Sequence, residues 1–343
     1  MNELLNVLYV VTQGAMLHLD HDAVRVEVDQ ETRARFPLLR LSGIVVLGRV
    51  MLSPYLIERC ADDGRSLVWL DGRGRFKARV EGATRGNVLL RRVQHLALSD
   101  ESATLAIARQ MVAGKIQNSR QVILRAAREA ANVDDRAALG RASERMASML
   151  ARLHDAGSLD TTRGLEGESA SAYFEVFPRM LRADRRAFTT GRRTRRPPRD
   201  RLNAVLSFLY ALVRSECASA LEGVGLDPQV GYLHSIRPGR PALALDLMEE
   251  FRPIMADRLA LTLINRSQLK PGQFDELPGG AVHLSDDGRR VVIEAYQRRK
   301  QDEVEHRVVK QKVPIGLLPH LQARLLARHL RGDLAHYPPY LYR

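Results

Sequence analysis

The spacing of apolar residues changes once along this chain, and that change limits the possible folds more than any other feature. Up to about residue 81, apolar and polar residues alternate in short runs such as AVRVEV, which predicts β-strands. From about Thr84 onward, apolar residues recur every three or four positions, as in MVAGKIQNSRQVILRAA, which predicts helices. We therefore expect an α+β fold, with a small N-terminal β domain at residues 1–83 and a larger, mainly α-helical domain at 84–343.

Local signals add detail to this division. Six runs in the N-terminal part are expected to be strands: NVLYVV, AMLHL, AVRVEV, GIVVLG, SLVWL and RFKARV. The segment SPYLIERCADDG predicts a short helix, because Ser53 can cap its first amides and Pro54 suits its first turn. In the C-terminal part, AVHLSDDGRRVVIEAYQRRK predicts a short strand, a turn and then another helix.

The charge balance favours a polyanionic partner. The chain has 53 Lys and Arg against 40 Asp and Glu, a formal net charge of +13, and such a field attracts nucleic acid first and an anionic membrane second.

Cys60 and Cys217 lie far apart without a CxxC pairing, which excludes a disulfide framework and a thiolate zinc site and fits a reducing cytoplasm. Because we find neither a secretory leader nor a long uncharged apolar stretch, we expect a cytoplasmic protein that does not span a membrane.

One arginine-rich stretch stands out. Residues 179–200 hold nine arginines and two aspartates beside a Pro-Pro pair, which predicts a mobile basic loop rather than a regular element. Because the guanidinium fork matches phosphate oxygens, we expect this loop to contact a nucleic-acid backbone. A solvated helix end decorated with arginines is the alternative. The arginines expected to contact DNA are Arg192, Arg193, Arg195 and Arg196.

The segment PALALDLMEEFRP carries three acids in an apolar run. In a helix, Asp246 lies three and four positions before Glu249 and Glu250, so the three carboxylates can share one face. Like charges this close repel, and Mg²⁺ or Mn²⁺ is the simplest compensator because hard cations select oxygen ligands. His234, in the preceding loop, can fold back and add an imidazole. A solvated acidic face and a structural histidine are the alternatives.

A further acidic candidate is Glu166, which lies between Gly164 and Gly167 in GLEGESASAYFEVF. Glycines allow another backbone or a ligand to approach closely. We expect a helix to start here, with free amide groups that can bind a phosphate. The alternative is a flexible helix start with a solvated glutamate.

The run HLDHD at residues 18–22 has the composition of a metal cluster, but it falls between two predicted strands. Along a strand, His18 and Asp20 share one side, whereas His21 depends on the turn geometry. We therefore favour a turn over a ligand site. GRG in LDGRGRF is interpreted in the same way, as a hairpin turn, because no helix follows it.

Three segments carry a family resemblance. GLEGESASAYF, RPPRDRLNAVLSFLYALV and GYLHSIRPGRPALALDLMEEFRP together resemble the CRISPR-associated integrase family, the nuclease subunit that inserts new spacers into the array. The C-terminal VPIGLLPHLQARLLARHLRGDLAHYPPYLYR resembles the form found with type I-C systems. The resemblance implies a homodimer formed through the β domain and an active site in the helical domain. It also implies a partner, the small ferredoxin-like second adaptation protein, which bridges two dimers.

The resemblance also implies site residues. It assigns Glu166, His234 and Glu249 as ligands of Mg²⁺ or Mn²⁺, with Asp246 as a supporting carboxylate beside them. The residues alone do not rank Glu249 above Glu250; only the family spacing does so. His234 can serve as a ligand or as a proton shuttle, and we assign it to the metal.

Four more residues match family positions near the site or the DNA. Arg240 and Arg252 fall where the family approaches DNA, and a surface charge is the alternative for each. Asn203 and Tyr210 match the family's asparagine and tyrosine beside the site, and core packing is the alternative for Tyr210.

The chemistry implied by the family is phosphodiester transesterification, in which a 3′ hydroxyl of double-stranded spacer DNA attacks a backbone phosphate at the repeat. Two other functions fit the same residues. One is a metal-dependent nuclease that cuts branched DNA without joining it. The other is a helical DNA-binding protein without enzymatic activity, whose acids balance its arginines.

Overall fold

The chain divides into two compact units, residues 1–86 and 87–343, here named the N-terminal and the C-terminal unit. The structure, a computed structural model, describes residues 6–72, 76–80, 82, 88–189, 191, 193–194 and 197–342. Strands form the first unit and helices most of the second, which confirms the predicted α+β class. The domain boundary predicted between residues 83 and 84 lies outside the described residues.

The N-terminal unit contains two four-stranded sheets. The strands are β1 Asn6–Val10, β2 Met16–Asp20, β3 Ala23–Val28, β4 Glu31–Pro37, β5 Leu41–Leu47, β6 Met51–Leu52, β7 Ser66–Leu70 and β8 Phe76–Val80. In one sheet the order is β1-β5-β7-β8, where the first three strands are parallel and β8 is antiparallel to β7. In the other the order is β4-β3-β2-β6, where neighbours are antiparallel except that β6 is parallel to β2.

The alternating pattern explains how these strands bury one face. In β3, Val24 and Val26 are buried while Arg25 remains partly exposed, and the valines join an apolar core with residues from both sheets. The helix α1, Pro54–Asp62, begins where Ser53 accepts a hydrogen bond from the amide of Leu56. The six predicted strands and this helix are confirmed; β4 and β6 were not predicted.

The C-terminal unit is mainly helical. Its longest helix, α3, packs against α4, α5 and α8. The helices are α2 Val88–Ser99, α3 Glu101–Glu129, α4 Val133–His154, α5 Leu159–Val176, α6 Arg185–Phe188, α7 Arg201–Gly223, α8 Ala242–Phe251, α9 Arg258–Asn265, α10 Asp286–Gln301 and α11 Leu318–Leu330. Between α8 and α9 the chain forms a wider, π-helical segment, Arg252–Asp257.

Short strand pairs interrupt these helices. They are β9 Phe274–Leu277 with β10 Ala281–Leu284, and β11 Glu303–His306 with β12 Gln311–Pro314, both antiparallel. The predicted strand, turn and helix at 281–300 are confirmed as β10, the cap Ser285 and α10. By length and composition, α7 could cross a membrane, but 56% of its apolar window is buried, as in the core helix of a folded unit.

Candidate active site

Glu166 projects from the middle of α5. Ser158 caps this helix by accepting a hydrogen bond from the amide of Thr161 at 3.1 Å, so the helix begins two turns before the glutamate. The helix start that we predicted at GLEGES is therefore wrong, and the amides there are not free for a phosphate. Packing of α5 against α3 and α4 outweighs the low helix propensity of its two glycines.

Lys115 of α3 connects Glu166 to α8. Its Nζ contacts Oε1 of Glu166 and lies 2.7 Å from Oε2 of Glu249. The lysine side chain is 8% exposed, against 28% for Glu166. A single positive charge thus lies between two of the three predicted metal ligands.

Glu249 is held as a carboxylate by two cations. Arg252 donates from Nη1 to both carboxylate oxygens, at 2.9 and 3.0 Å, and Lys115 donates to one of them. Burial opposes ionisation, but the positive charges of Arg252 and Lys115 outweigh it and lower the pKa of Glu249 to about 2. The group is therefore negatively charged at neutral pH.

Asp246 organises the loop that carries His234. One of its carboxylate oxygens accepts from the amides of Tyr232 and Leu233 at 2.6 and 2.9 Å, and the other accepts from the His234 amide at 2.9 Å and lies 2.6 Å from the His234 Nδ1. Gly231 makes this approach possible, because a Cβ there would meet Asp246 Oδ2 at 2.8 Å. Asp246 is completely buried.

The same contacts orient the His234 ring. An ionised carboxylate can only accept, so Nδ1 carries the proton and Nε2 keeps a lone pair. The ring is 24% exposed. Arg163, one turn before Glu166 on α5, donates to the carbonyl oxygen of Leu233 at 2.8 Å and so ties α5 to the histidine loop.

The three acids of α8 do not form one acidic face as we expected. Asp246 binds the loop at 232–234, Glu249 binds Lys115 and Arg252, and Glu250 binds the C-terminal tail. Each carboxylate has separate partners, so no residual repulsion among them requires a shared ion.

Glu250 fixes the C-terminal tail to α8. It accepts hydrogen bonds from Tyr337 Oη at 2.6 Å, from the Tyr340 amide at 2.7 Å and from Gln322 Nε2 at 3.1 Å. Asn118 of α3 strengthens the same junction by donating to the carbonyl oxygens of Glu250 and Tyr340, each at 2.8 Å. The structure thus separates the two adjacent glutamates that the residues alone could not rank.

Arg252 lies in a buried network rather than on the surface. Its guanidinium stacks over the Tyr210 ring at 4.3 Å, and only 7% of the residue is exposed. Tyr210 and Tyr173 donate to the two carboxylate oxygens of Asp257, at 2.5 and 3.0 Å. Burial raises the pKa of Asp257, while Arg252 opposes that shift. A DNA-contacting role for Arg252 stays a prediction, which this burial does not favour.

The remaining predicted residues surround this network or lie apart from it. Asn203 is buried, donates to Asp200 at 2.8 Å and accepts from Arg193 Nη1 at 2.7 Å. Arg193 also lies over the Tyr210 ring, at 5.5 Å, so it turns inward rather than toward solvent. Arg240 is half-buried, with Nη1 3.2 Å from Ser235 Oγ. The predicted contacts Arg192, Arg195 and Arg196 lie outside the described residues.

The donor atoms suit a hard divalent cation, although they are not assembled around one point. Within the described ranges, no three His, Cys, Asp or Glu side chains are grouped closely enough to hold a metal ion together. Carboxylate and imidazole are nevertheless the ligands that Mg²⁺ and Mn²⁺ accept. The Lys115 ammonium is a cation held between Glu166 and Glu249, so the gap between these carboxylates already accommodates positive charge.

Sequence reasoning missed two residues of this site, Lys115 and Asp257. Lys115 follows Gly114 in an amphipathic helix, where a lysine ordinarily faces solvent. The available signal is that this chain uses arginine at most basic positions, whereas a lysine stands here among apolar residues. Asp257 carries no comparable signal, because its partners Tyr173 and Tyr210 are distant in the sequence.

The fold of this chain recurs in solved structures. A casposase bound to integration product matches with a TM-score of 0.84 over 99% of this chain and 95% of that chain, at 22% sequence identity. A Cas6-RT-Cas1--Cas2 complex contains a chain that matches with a TM-score of 0.83, over 100% of this chain and 36% of that one, also at 22% identity. At this identity the likeness defines the fold class, that of the Cas1 and casposase proteins.

Sequence comparison is more specific. The family model described as CRISPR associated protein Cas1 matches residues 8–298. The CRISPR-associated endonuclease Cas1 1 of Moorella thermoacetica is 56% identical over 343 residues, which cover 100% of both chains. The chain therefore belongs to the Cas1 family of CRISPR-associated proteins. The predicted family is confirmed, while the type I-C form stays a prediction.

Proposed function

We propose that this chain is a divalent-metal-dependent DNA endonuclease and integrase of CRISPR adaptation. It joins the 3′ hydroxyl ends of new spacer DNA to the repeat by phosphodiester transesterification. The observation that carries the proposal is the meeting of Glu166 and Glu249 at one cation, the Lys115 ammonium, together with the hydrogen bond by which Arg163 ties the His234 loop to the helix of Glu166. These two carboxylates come from helices far apart in the sequence, and Asp246, on the same helix as Glu249, holds the His234 imidazole by its Nδ1.

Glu166, His234 and Glu249 would hold Mg²⁺ or Mn²⁺. The bound ion supplies a Lewis acid that polarises a phosphate oxygen and stabilises the charge that develops there, which is worth several kcal/mol. Glu249 is already ionised, because Arg252 and Lys115 lower its pKa. Asp246 fixes the proton of His234 on Nδ1 and leaves Nε2 as the ligand atom.

The proposed partners follow from charge, from exposed apolar surface and from relatives. The net charge of +13 suits double-stranded DNA, both the spacer precursor and the repeat. Leu39, Met51 and Tyr55 are 73%, 57% and 73% exposed on the N-terminal unit, which supports a homodimer formed there. A casposase bound to integration product and a Cas6-RT-Cas1--Cas2 complex, both similar in fold, support DNA joining and a second adaptation protein as partner. That this partner is small and ferredoxin-like is part of the proposal. A cytoplasmic location and the type I-C form are part of the same proposal.

A joining assay tests the proposal. Purified protein is incubated with a short duplex bearing free 3′ ends and a repeat-containing plasmid, with and without Mn²⁺. We expect covalently joined product only with the metal, and none from Glu166→Ala, His234→Ala or Glu249→Ala, while their folding and most of their DNA affinity persist. Glu168→Ala is the matched control, because Glu168 also lies on α5 but pairs with Arg152 at the surface.

The same assay separates the second candidate. The Moorella thermoacetica relative is named an endonuclease, which favours cutting as an alternative to joining. Cleaved branched DNA without any joined product would identify a metal-dependent nuclease instead. DNA binding with neither product, and without Mn²⁺ binding, would identify a non-enzymatic DNA-binding protein.

A further inference from the structure

A buried lysine occupies the centre of the proposed metal site. Lys115 reaches from α3 to Glu166 on α5 and to Glu249 on α8, and its side chain is 8% exposed. Both ion pairs therefore form largely away from water, where charges interact more strongly than at the surface. One monovalent cation is shared by two carboxylates from different helices.

The two carboxylates depend on this charge to different degrees. Glu249 has a second cation, since Arg252 donates to both of its oxygens. For Glu166, Lys115 is the one ion-pair partner in the part of the chain that the structure describes. The lysine thus offsets the repulsion between the two carboxylates and keeps that of Glu166 turned toward α8.

A divalent ion ligated by Glu166 and Glu249 would use the oxygens that Lys115 contacts now. Two cations in one weakly solvated gap repel each other, so ion binding displaces the ammonium from at least one carboxylate. The flexible four-carbon stem of a lysine permits this withdrawal. Arg252 is less free to move, because its guanidinium is stacked on Tyr210.

We propose that Lys115 is a built-in counter-ion of the metal centre, which holds Glu166 and Glu249 together in the metal-free protein and competes with the divalent cation for them. The inference rests on the proposed function, because it requires these two glutamates to be metal ligands. Lys115 acts through the carboxylates and is therefore a positioning residue. Its presence weakens metal binding while it stabilises the metal-free fold.

The test measures the Mn²⁺ affinity of the DNA-free protein, by electron paramagnetic resonance of the free ion. We expect Lys115→Met to bind Mn²⁺ at least about tenfold more tightly than the wild type, a difference of about 1.4 kcal/mol. Lys300→Met is the matched control. Lys300 is also a buried lysine, 1% exposed and 2.7 Å from Glu216, but its partner is not a proposed ligand, so its loss should leave the Mn²⁺ affinity unchanged.

Thermal unfolding gives a second readout. Both lysine variants should melt below the wild type without metal, because each loses a buried ion pair. Mn²⁺ should then raise the melting temperature of Lys115→Met more than that of the wild type, and that of Lys300→Met no more than the wild type. If Lys115→Met is unfolded without metal, recovery of its folded circular-dichroism spectrum in Mn²⁺ supports the proposal, and failure to recover contradicts it.

The outcomes separate this inference from the proposed metal site. Unchanged or weaker Mn²⁺ affinity in Lys115→Met, together with wild-type binding that Glu166→Ala abolishes, overturns the counter-ion role and leaves the metal site standing. Mn²⁺ binding that only Lys115→Met shows, or that is tighter in Lys115→Met than in the wild type, supports both the metal site and the counter-ion role. If neither the wild type nor Lys115→Met binds Mn²⁺, both the metal site and this inference are overturned.

Discussion

Glu249 and Glu250 are adjacent in the sequence, but their carboxylates have entirely separate partners. Glu249 pairs with Lys115, whereas Glu250 accepts hydrogen bonds from Tyr337 and the Tyr340 amide. Successive helix positions point about 100° apart, so adjacent residues of α8 reach different neighbours. One glutamate belongs to the candidate active site, and the other attaches the C-terminal tail to the helix that carries that site.

This separation predicts different effects of two similar substitutions. Glu249→Gln should reduce strand joining at least about 100-fold, because it removes a charged metal ligand whose contribution is several kcal/mol. Glu250→Gln should keep activity within about threefold, since it stays neutral and keeps its oxygen acceptor for the tail. Joining rates at saturating Mn²⁺ measure both. A larger loss in Glu250→Gln than in Glu249→Gln would reverse our ligand assignment.

Asp246→Asn should weaken the site through His234. Both carboxylate oxygens of Asp246 accept hydrogen bonds, whereas an asparagine side chain has one accepting oxygen. The substitution therefore disturbs the hydrogen bonds from the backbone amides of 232–234 or from His234 Nδ1. Loss of such a supporting partner typically costs about 10–100-fold in metal affinity or activity. Titration with Mn²⁺ and the joining rate measure the change, with the exposed Asp155→Asn as control. Wild-type values for Asp246→Asn would show that the carboxylate does not orient the imidazole.

The glycines beside Glu166 predict a trade between stability and activity. A Cβ at Gly167 would meet no atom within 4 Å, so Gly167→Ala should stabilise α5 by up to about 1 kcal/mol. If the open surface there receives DNA, joining should slow several-fold. Gly140→Ala, on α4 and equally unobstructed, should gain stability without losing activity. Full activity in Gly167→Ala would mean that DNA does not approach this face of α5.

Glu250 predicts a pH dependence of folding stability. Burial raises the pKa of Glu250 to about 8 from its ordinary value of 4.5, although Tyr337 and the Tyr340 amide favour the charged form. The folded chain therefore holds this proton more tightly than the unfolded chain, and the stabilisation is complete below the ordinary value and is lost as the pH rises through about 8. Between about pH 5 and pH 8, the free energy of unfolding should fall more steeply in the wild type than in Glu250→Gln. Parallel curves from urea titrations of the two proteins would contradict this.

Most of the fold could be predicted because its patterns are local. Alternation in AVRVEV and the capping of α1 by Ser53 depend only on neighbouring residues. Strand β4, ETRARFP, was missed because most of its residues are exposed, and only two apolar residues, Ala34 and Phe36, alternate toward the core. Strand β6 has two residues, too few for any period to appear.

The candidate site could be predicted only in part, because its contacts are not local. The acids of α8 and His234 stand out in the sequence as polar residues in an apolar run, but their separate partners lie on α3, in the 232–234 loop and in the tail. The start of α5 was misplaced, since the glycines around Glu166 favour a helix boundary that tertiary packing overrides. Lys115 is about 50 residues from Glu166 and more than twice as far from Glu249, so spacing alone cannot connect them.

The most direct test of the central claim is anomalous diffraction from crystals of the protein grown with Mn²⁺ and a duplex bearing free 3′ ends. Our account predicts one manganese peak within bonding distance of Glu166, His234 Nε2 and Glu249, with the Lys115 ammonium moved away from at least one carboxylate. A manganese peak elsewhere in the C-terminal unit, or none beside these three residues in crystals that contain ordered DNA, would contradict it.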